Sequence, residues 1–311
     1  MDNNERIYDV YAGFSAQLSQ ELSLQASAEV ENYHSPIWNR WHVYPTVNMT
    51  WMVDNNNMLN LSFNSDSKYP SYWSVMSSVY YSSTYSEIWG NPQLKPSSYY
   101  STSLLWQLKH KYTFVASVSF EPDYFVQLPY QTSERMAVIM SEQNWNYHNT
   151  FGLMASAQFA AGHWLTGNAS ASAIYVHDKS DHFFDLPFDR NQLNFVLAGT
   201  ASVKLLPKEN LRLIINPFYQ NRGIQGVYDI DHVFSMNATL RWASANDRWS
   251  VALQGNNVFN NKMKATSTQG NQDHGMTLRT NWASATLMLT YRFGNYKQKN
   301  SRKTDTSRMG H

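Results

Sequence analysis

Residues 284–300 read SATLMLTYRFGNYKQKN, an alternation of small or apolar residues with Ser and Thr that ends abruptly in a basic, polar tail. With a period of two, Ala285, Leu287, Leu289, Tyr291 and Phe293 fall on one face, and Ser284, Thr286, Met288, Thr290 and Arg292 on the other. A strand with one wholly apolar face needs an apolar medium against that face.

The pattern repeats along the chain. Tyr112, Phe114, Ala116, Val118 and Phe120 oppose Thr113, Val115, Ser117 and Ser119; Leu193, Phe195, Leu197, Gly199, Ala201, Val203 and Leu205 oppose Asn194, Thr200, Ser202 and Lys204. Trp41, Val43, Val47, Met49 and Trp51 share a face, as do Trp249, Val251 and Leu253. About thirteen segments match the strand template, near 6–18, 22–33, 41–53, 57–66, 98–109, 111–125, 145–160, 163–177, 191–206, 210–221, 231–243, 247–258 and 282–293. Strands of soluble proteins usually run to about 5–6 residues, whereas a tilted strand crossing a bilayer needs about 9–11. Length favours the membrane.

The links between segments alternate in length. Short ones fall at 19–21, 53–57, 109–111, 160–163, 206–210 and 243–247; long ones fall at 67–97, 126–145, 178–190, 222–230 and 259–281. Outer-membrane barrels have short turns in the periplasm and long loops outside the cell, an asymmetry that a soluble sandwich does not require. Aromatic residues near strand ends, among them Trp38, Trp41, Tyr44, Trp51, Tyr291 and Phe293, suit the headgroup interface.

Composition agrees with a two-faced sheet. Of 311 residues only 15% are charged, 15% are aromatic, the net charge is +1 and Cys is absent, whereas soluble domains carry about 25% charge. The low charge argues against nucleic acid as a partner. No apolar run approaches the roughly 18 residues of a membrane helix. The expected fold is an all-β, antiparallel transmembrane barrel over residues 1–293, followed by a basic polar periplasmic tail, 294–311.

Counted back from a periplasmic C-terminus, an odd number of strands places Met1 outside the cell, and the N-terminus has no basic stretch followed by an apolar core. The sequence is therefore expected to be the C-terminal part of a longer barrel chain that carries the signal peptide.

Three stretches carry a resemblance. YPTVNMTWMVDNNNMLNLSFNSDSKYPSYWSVMSS (44–78) with EIWGNPQLKPSSYYSTSLLW (87–106), then VALQGNNVFNNK (251–262), then LMLTYRFGNYKQKNSRKTDTSRMGH (287–311) are similar to the TonB-dependent receptor-like outer-membrane β-barrel family common in Bacteroidota. The resemblance implies a barrel of roughly 22 strands with a plugged lumen, of which about nine would lie outside this sequence. It implies outer-membrane localisation, surrounding lipid, the barrel-assembly machinery as a partner, and a plug and TonB coupling supplied by a preceding part. It also implies a small substrate bound by the outer loops and taken up across the membrane. The alternative is a structural or adhesive barrel without energy coupling.

Candidate sites are few. Tyr80, Tyr81, Tyr85 and Trp89 sit in a long link rich in Tyr, Trp and Ser, a composition that stacks on ligands at low entropic cost and also makes an ordinary polar loop. His177, Asp178, Asp181 and His182 form the densest cluster of imidazole and carboxylate, able in kind to bind a divalent metal but at no established spacing. In GNPQLKP (90–96) the prolines fix φ, which suggests a rigid return into the next strand. Leu287, Leu289, Tyr291 and Phe293 mark the terminal strand and the membrane boundary. No Gly-x-Ser-x-Gly, Walker A, Rossmann or zinc-finger pattern occurs, so no enzyme activity and no cofactor are expected.

Overall fold

The computed structural model describes residues 5–36, 38–206, 210–246, 248–278 and 282–293; the tail from Gly294 onward lies outside them. The chain runs β1 (Arg6–Gln17), β2 (Leu22–His34), β3 (Asn39–Asp54) and β4 (Asn57–Lys68), then the single-turn helix α1 (Tyr72–Val75) and the short strands β5 (Val79–Ser83) and β6 (Ser86–Trp89). It continues with β7 (Ser97–Leu108), β8 (Tyr112–Pro122), β9 (Phe125–Gln131), β10 (Val138–Asn144), β11 (Tyr147–Ala161), β12 (Leu165–Ser180), β13 (Phe188–Leu206) and β14 (Leu211–Gln220). It closes with β15 (Gly223–Gln225), β16 (Tyr228–Ile230), β17 (Val233–Ala243), β18 (Trp249–Asn256), β19 (Met263–Ser267), β20 (His274–Leu278) and β21 (Ser284–Tyr291).

Thirteen of these strands form one antiparallel sheet in the order β1-β2-β3-β4-β7-β8-β11-β12-β13-β14-β17-β18-β21, a meander in which spatial order follows chain order. They are the thirteen segments that alternate in the sequence. Register fixes the faces, because directly paired residues share a side. Leu287 pairs with Leu253, Leu253 with Leu240, and Leu240 with Leu213, while Phe195 pairs with Ala173 and Ala173 with Leu153. This apolar face is bare: Leu287 is 70% exposed and Val10 73%.

The opposite face is polar and internally bonded. Asn60 donates to Asn48 at 3.2 Å and to Thr50 at 2.9 Å, the Ser62 and Ser103 hydroxyls meet at 2.7 Å, and Thr200 donates to Asn216 at 2.8 Å. Apolar outside and polar inside is the inverse of a soluble protein and the arrangement of a barrel wall in lipid. Among the described residues no helix is long and apolar enough to cross a membrane, so any crossing is made by strands.

One aromatic expectation changes. Trp41 and Trp51 project from the apolar face, 71% and 44% exposed, but Tyr44 lies on the polar face at 7%. Its hydroxyl donates to Glu31 at 3.2 Å and lies 2.6 Å from the Ser67 hydroxyl, which can donate to it. Parity decides this: Tyr44 is one position out of step with Val43 and Trp41.

The long links are more ordered than their irregular sequence suggests. They fold into two further four-stranded sheets, β5-β6-β10-β9 and β15-β16-β19-β20. These strands are mostly 3–7 residues long and pair across links distant in sequence, as β6 does with β10 and β16 with β19, so no local periodicity announces them.

Candidate functional site

All the long links lie at one end of the wall, and the two small sheets pack there into a cap with its own core. Leu128, Tyr130, Ile139, Trp145, Phe183, Leu186, Phe188, Val227, Tyr228 and Ala265 form it, drawn from four separate links. The Trp145 ring, 1% exposed, lies 4.9 Å from Tyr124 and meets Phe188 edge-on at 5.0 Å. Burial of this kind contributes about 1.5–3 kcal/mol per large apolar side chain, which lets loop segments hold one conformation.

Polar bonds join the two small sheets. The Gln272 side chain accepts from the Gln131 amide at 2.7 Å and donates to its carbonyl at 2.8 Å, across 141 residues of sequence. The Tyr228 hydroxyl donates to the Pro129 carbonyl at 2.7 Å. With that proton committed, the His274 Nε2 contact at 2.5 Å is a donation from histidine, so its Nδ1, buried without a partner, carries no proton. Burial lowers the His274 pKa, against the pull of Asp273, and raises that of Tyr228. Burial, followed by a hydrogen bond to the Asp185 carboxylate, pushes the Tyr130 phenol up to about 12.

The cap is pinned to the polar face of the wall. Asp178 of β12, 1% exposed, accepts from His148 Nδ1 of β11 at 2.6 Å and from the Gly226 amide at 2.9 Å. Its cross-strand neighbour Arg190 of β13 donates to the Gly226 carbonyl at 3.0 Å and pairs with Asp229. Gly226 is required there: φ is +55°, and a Cβ would meet the Trp145 ring at 2.9 Å.

One flank of the cap remains open. Tyr80, Tyr81 and Tyr85 are 47%, 73% and 59% exposed, and Tyr72 and Trp73 beside them 57% and 70%. The Trp73 and Tyr80 rings meet edge-on at 6.3 Å. Residues 69–86 contain no charged side chain. Trp89 differs from the tyrosines: its indole donates to Glu87 Oε2 at 2.8 Å and its ring packs against the cap core. Glu87 is also gripped by both Arg135 guanidinium nitrogens, which hold its carboxyl below the usual carboxylate range, with help from Trp89. The sequence signal for Tyr72 and Trp73 is Ser71, whose hydroxyl accepts from the Ser74 amide and caps the single turn of α1 that carries both rings.

GNPQLKP closes this flank from below. A Cβ on Gly90 would lie 1.7 Å from the Met76 carbonyl oxygen, so only glycine fits. Asn91 donates to the Glu142 carbonyl at 3.1 Å, Leu94 is 1% exposed, and the Lys95 amide donates to Asn144 at 2.8 Å. The motif clamps the start of β7 to the cap.

The histidine and aspartate cluster does not converge. Asp178 turns inward to His148, whereas His177, on the other face of β12, binds Asp189 at 2.6 Å. Asp181 exchanges hydrogen bonds with Asn146, and the His182 amide donates to Ser180. Among the described residues no three His, Asp or Glu side chains are placed to hold a metal. In the terminal strand Leu289 is 65% and Phe293 85% exposed, and Tyr291 packs between Trp249 and Phe293 at 4.4 and 4.5 Å.

The chain matches the model of the outer membrane protein beta-barrel family over residues 1–293 and belongs to that family. It is an outer-membrane protein, and its wall is a transmembrane β-barrel wall. Among solved structures it resembles the FrpB iron transporter of Neisseria meningitidis, at 14% identity and a TM-score of 0.62, covering 93% of this chain and 45% of that one. A variant of the ferric enterobactin receptor PfeA of Pseudomonas aeruginosa gives 12% identity, a TM-score of 0.60, and 91% and 44% coverage. The siderophore receptor PirA of the same organism gives 10%, 0.57, and 83% and 44%. The chain thus spans less than half the length of these receptors. No curated protein matches it.

Proposed function

We propose that this chain supplies most of the wall and an outer cap to a receptor barrel that binds a small substrate at the cell surface and takes part in its uptake. The observation that carries the reading is the cap. Loops held by a core of their own, with a bare aromatic flank, form a preorganised binding surface at the end of the wall away from the short turns. Ring stacking and hydroxyl bonding along residues 69–86, which carry no charged side chain, suit an uncharged ligand, and the nearby Arg135 guanidinium is already paired with Glu87.

Residues 1–293 form the wall and cap in this reading, and 294–311 a polar tail in the periplasm. Thirteen antiparallel strands leave β1 and β21 running in the same direction and unpaired with each other. Each bare edge would leave backbone groups unsatisfied in lipid, so further strands close the barrel, to roughly 22 in barrels of this size class. A plug within the lumen and TonB coupling belong to the same proposal, as does insertion by the barrel-assembly machinery.

The chain has no cysteine, so single-cysteine variants report cleanly. In intact cells Tyr81→Cys should react with a membrane-impermeant maleimide, and Asn55→Cys, in the β3–β4 turn, only after permeabilisation. The reverse pattern would overturn the orientation and with it the role of the cap.

A further inference from the structure

The outer edges of the first cap sheet are treated differently. β9 is covered, because Pro129 and Gln131 bond to Tyr228 and Gln272 of the second sheet. β5, at the opposite edge, is bare. It pairs only with β6, and all five of its residues are exposed. Among the described residues no backbone hydrogen bond reaches it beyond that ladder. The cap core also stops short of it: Glu87 of β6 is 2% exposed, while Tyr81, its direct cross-strand partner, is 73% exposed.

An edge strand offers a row of free N–H and C=O groups, and proteins usually blunt such a row with Lys, Pro or a covering segment. β5 is VYYSS, with no charge and no proline. Only a bulge between Tyr81 and Ser83 interrupts its pairing with β6.

We propose that β5 is a docking edge for an extended, uncharged peptide, which adds as a fifth strand to β5-β6-β10-β9. The inference rests on the cap being the ligand-binding surface and names the ligand class. The backbone row is complemented by another strand, and side chains of the incoming peptide would lie against Val79 and Tyr81 on one face and against Tyr80 and Trp73 on the other. Residues 69–86 carry no charged side chain, and Arg135, the cation beside Tyr81, is held by Glu87, so an acidic or basic peptide would find no free counter-charge along this edge.

The test uses the detergent-solubilised protein and a blocked hexapeptide of alternating Val and Tyr, with binding read by isothermal calorimetry. The same peptide with alternate amides N-methylated keeps its side chains but loses backbone donors, and should bind at least roughly tenfold more weakly. Tyr81→Lys should weaken the parent peptide comparably, with an unchanged melting temperature showing that the cap is intact. Equal binding of the two peptides would overturn strand addition. Dimerisation through β5, seen as a Val79→Cys disulfide between copies with no peptide binding, would identify a second copy as the occupant and overturn the peptide. If an uncharged oligosaccharide bound and no peptide did, the cap would remain a binding surface and only the ligand class would fall; if neither bound, both readings would fall.

Discussion

Wall and cap use the same apolar residue types in opposite ways. Leu287 and Leu289 in the wall are 70% and 65% exposed, whereas Phe183 and Val227 in the cap are 0% and 1%. The wall is held by backbone ladders between chain neighbours and turns its apolar face to lipid. The cap buries its apolar residues as a water-soluble domain does and gains its stability from packing. One chain therefore contains two solvents' worth of design, and each part should fail under a different insult.

Trp145→Ala should separate the two most widely. Removing the largest buried ring should cost the cap about 3–5 kcal/mol, seen as fast hydrogen exchange in 124–145 and 223–230 with the wall still protected. Simultaneous loss of wall protection would show that the parts are one cooperative unit.

The wall is tested by charge. Arg at Ala171, mid-strand on the apolar face, should cost about 2–4 kcal/mol, while Arg at Ser172 on the polar face should cost little. Both are read by urea unfolding in lipid vesicles, and equal costs would invert the assignment of faces.

The smallest effect concerns pH. His274 is neutral in the folded cap and its pKa is lowered from 6.5, so its contribution is complete above about pH 6.5 and is lost as pH falls below that toward the depressed value. Protonation would place a proton on Nδ1, which has no acceptor. Cap exchange should rise by a few-fold between pH 7 and 5, and His274→Gln should flatten the change; an unaltered profile would remove His274 as its source.

The wall was legible because its physics is local. Alternation over 8 to 19 residues places every second side chain in lipid, and short turns leave only neighbouring strands to pair. The cap was not, because its order is tertiary. Nothing in VYYSS or YDI marks a strand until β6 meets β10 and β16 meets β19. The histidine and aspartate cluster misled for a related reason: residues adjacent in a strand point to opposite faces, so His177 and Asp178 are close in sequence and divided by the sheet. Trp89 is set apart for another reason: aromatic composition does not tell a ring that packs partly inward from the exposed rings of Tyr80 and Tyr81.

The bridge between Gln131 and Gln272 has a consequence in time. Wall hairpins close over short stretches of chain, but this contact waits for β11 to β18 to be laid side by side. That bridge is then a late contact, and a register slip in any strand between the two halves of the cap would leave those glutamines apart. A formed cap would therefore report that the strands of the wall between its two halves stand in register.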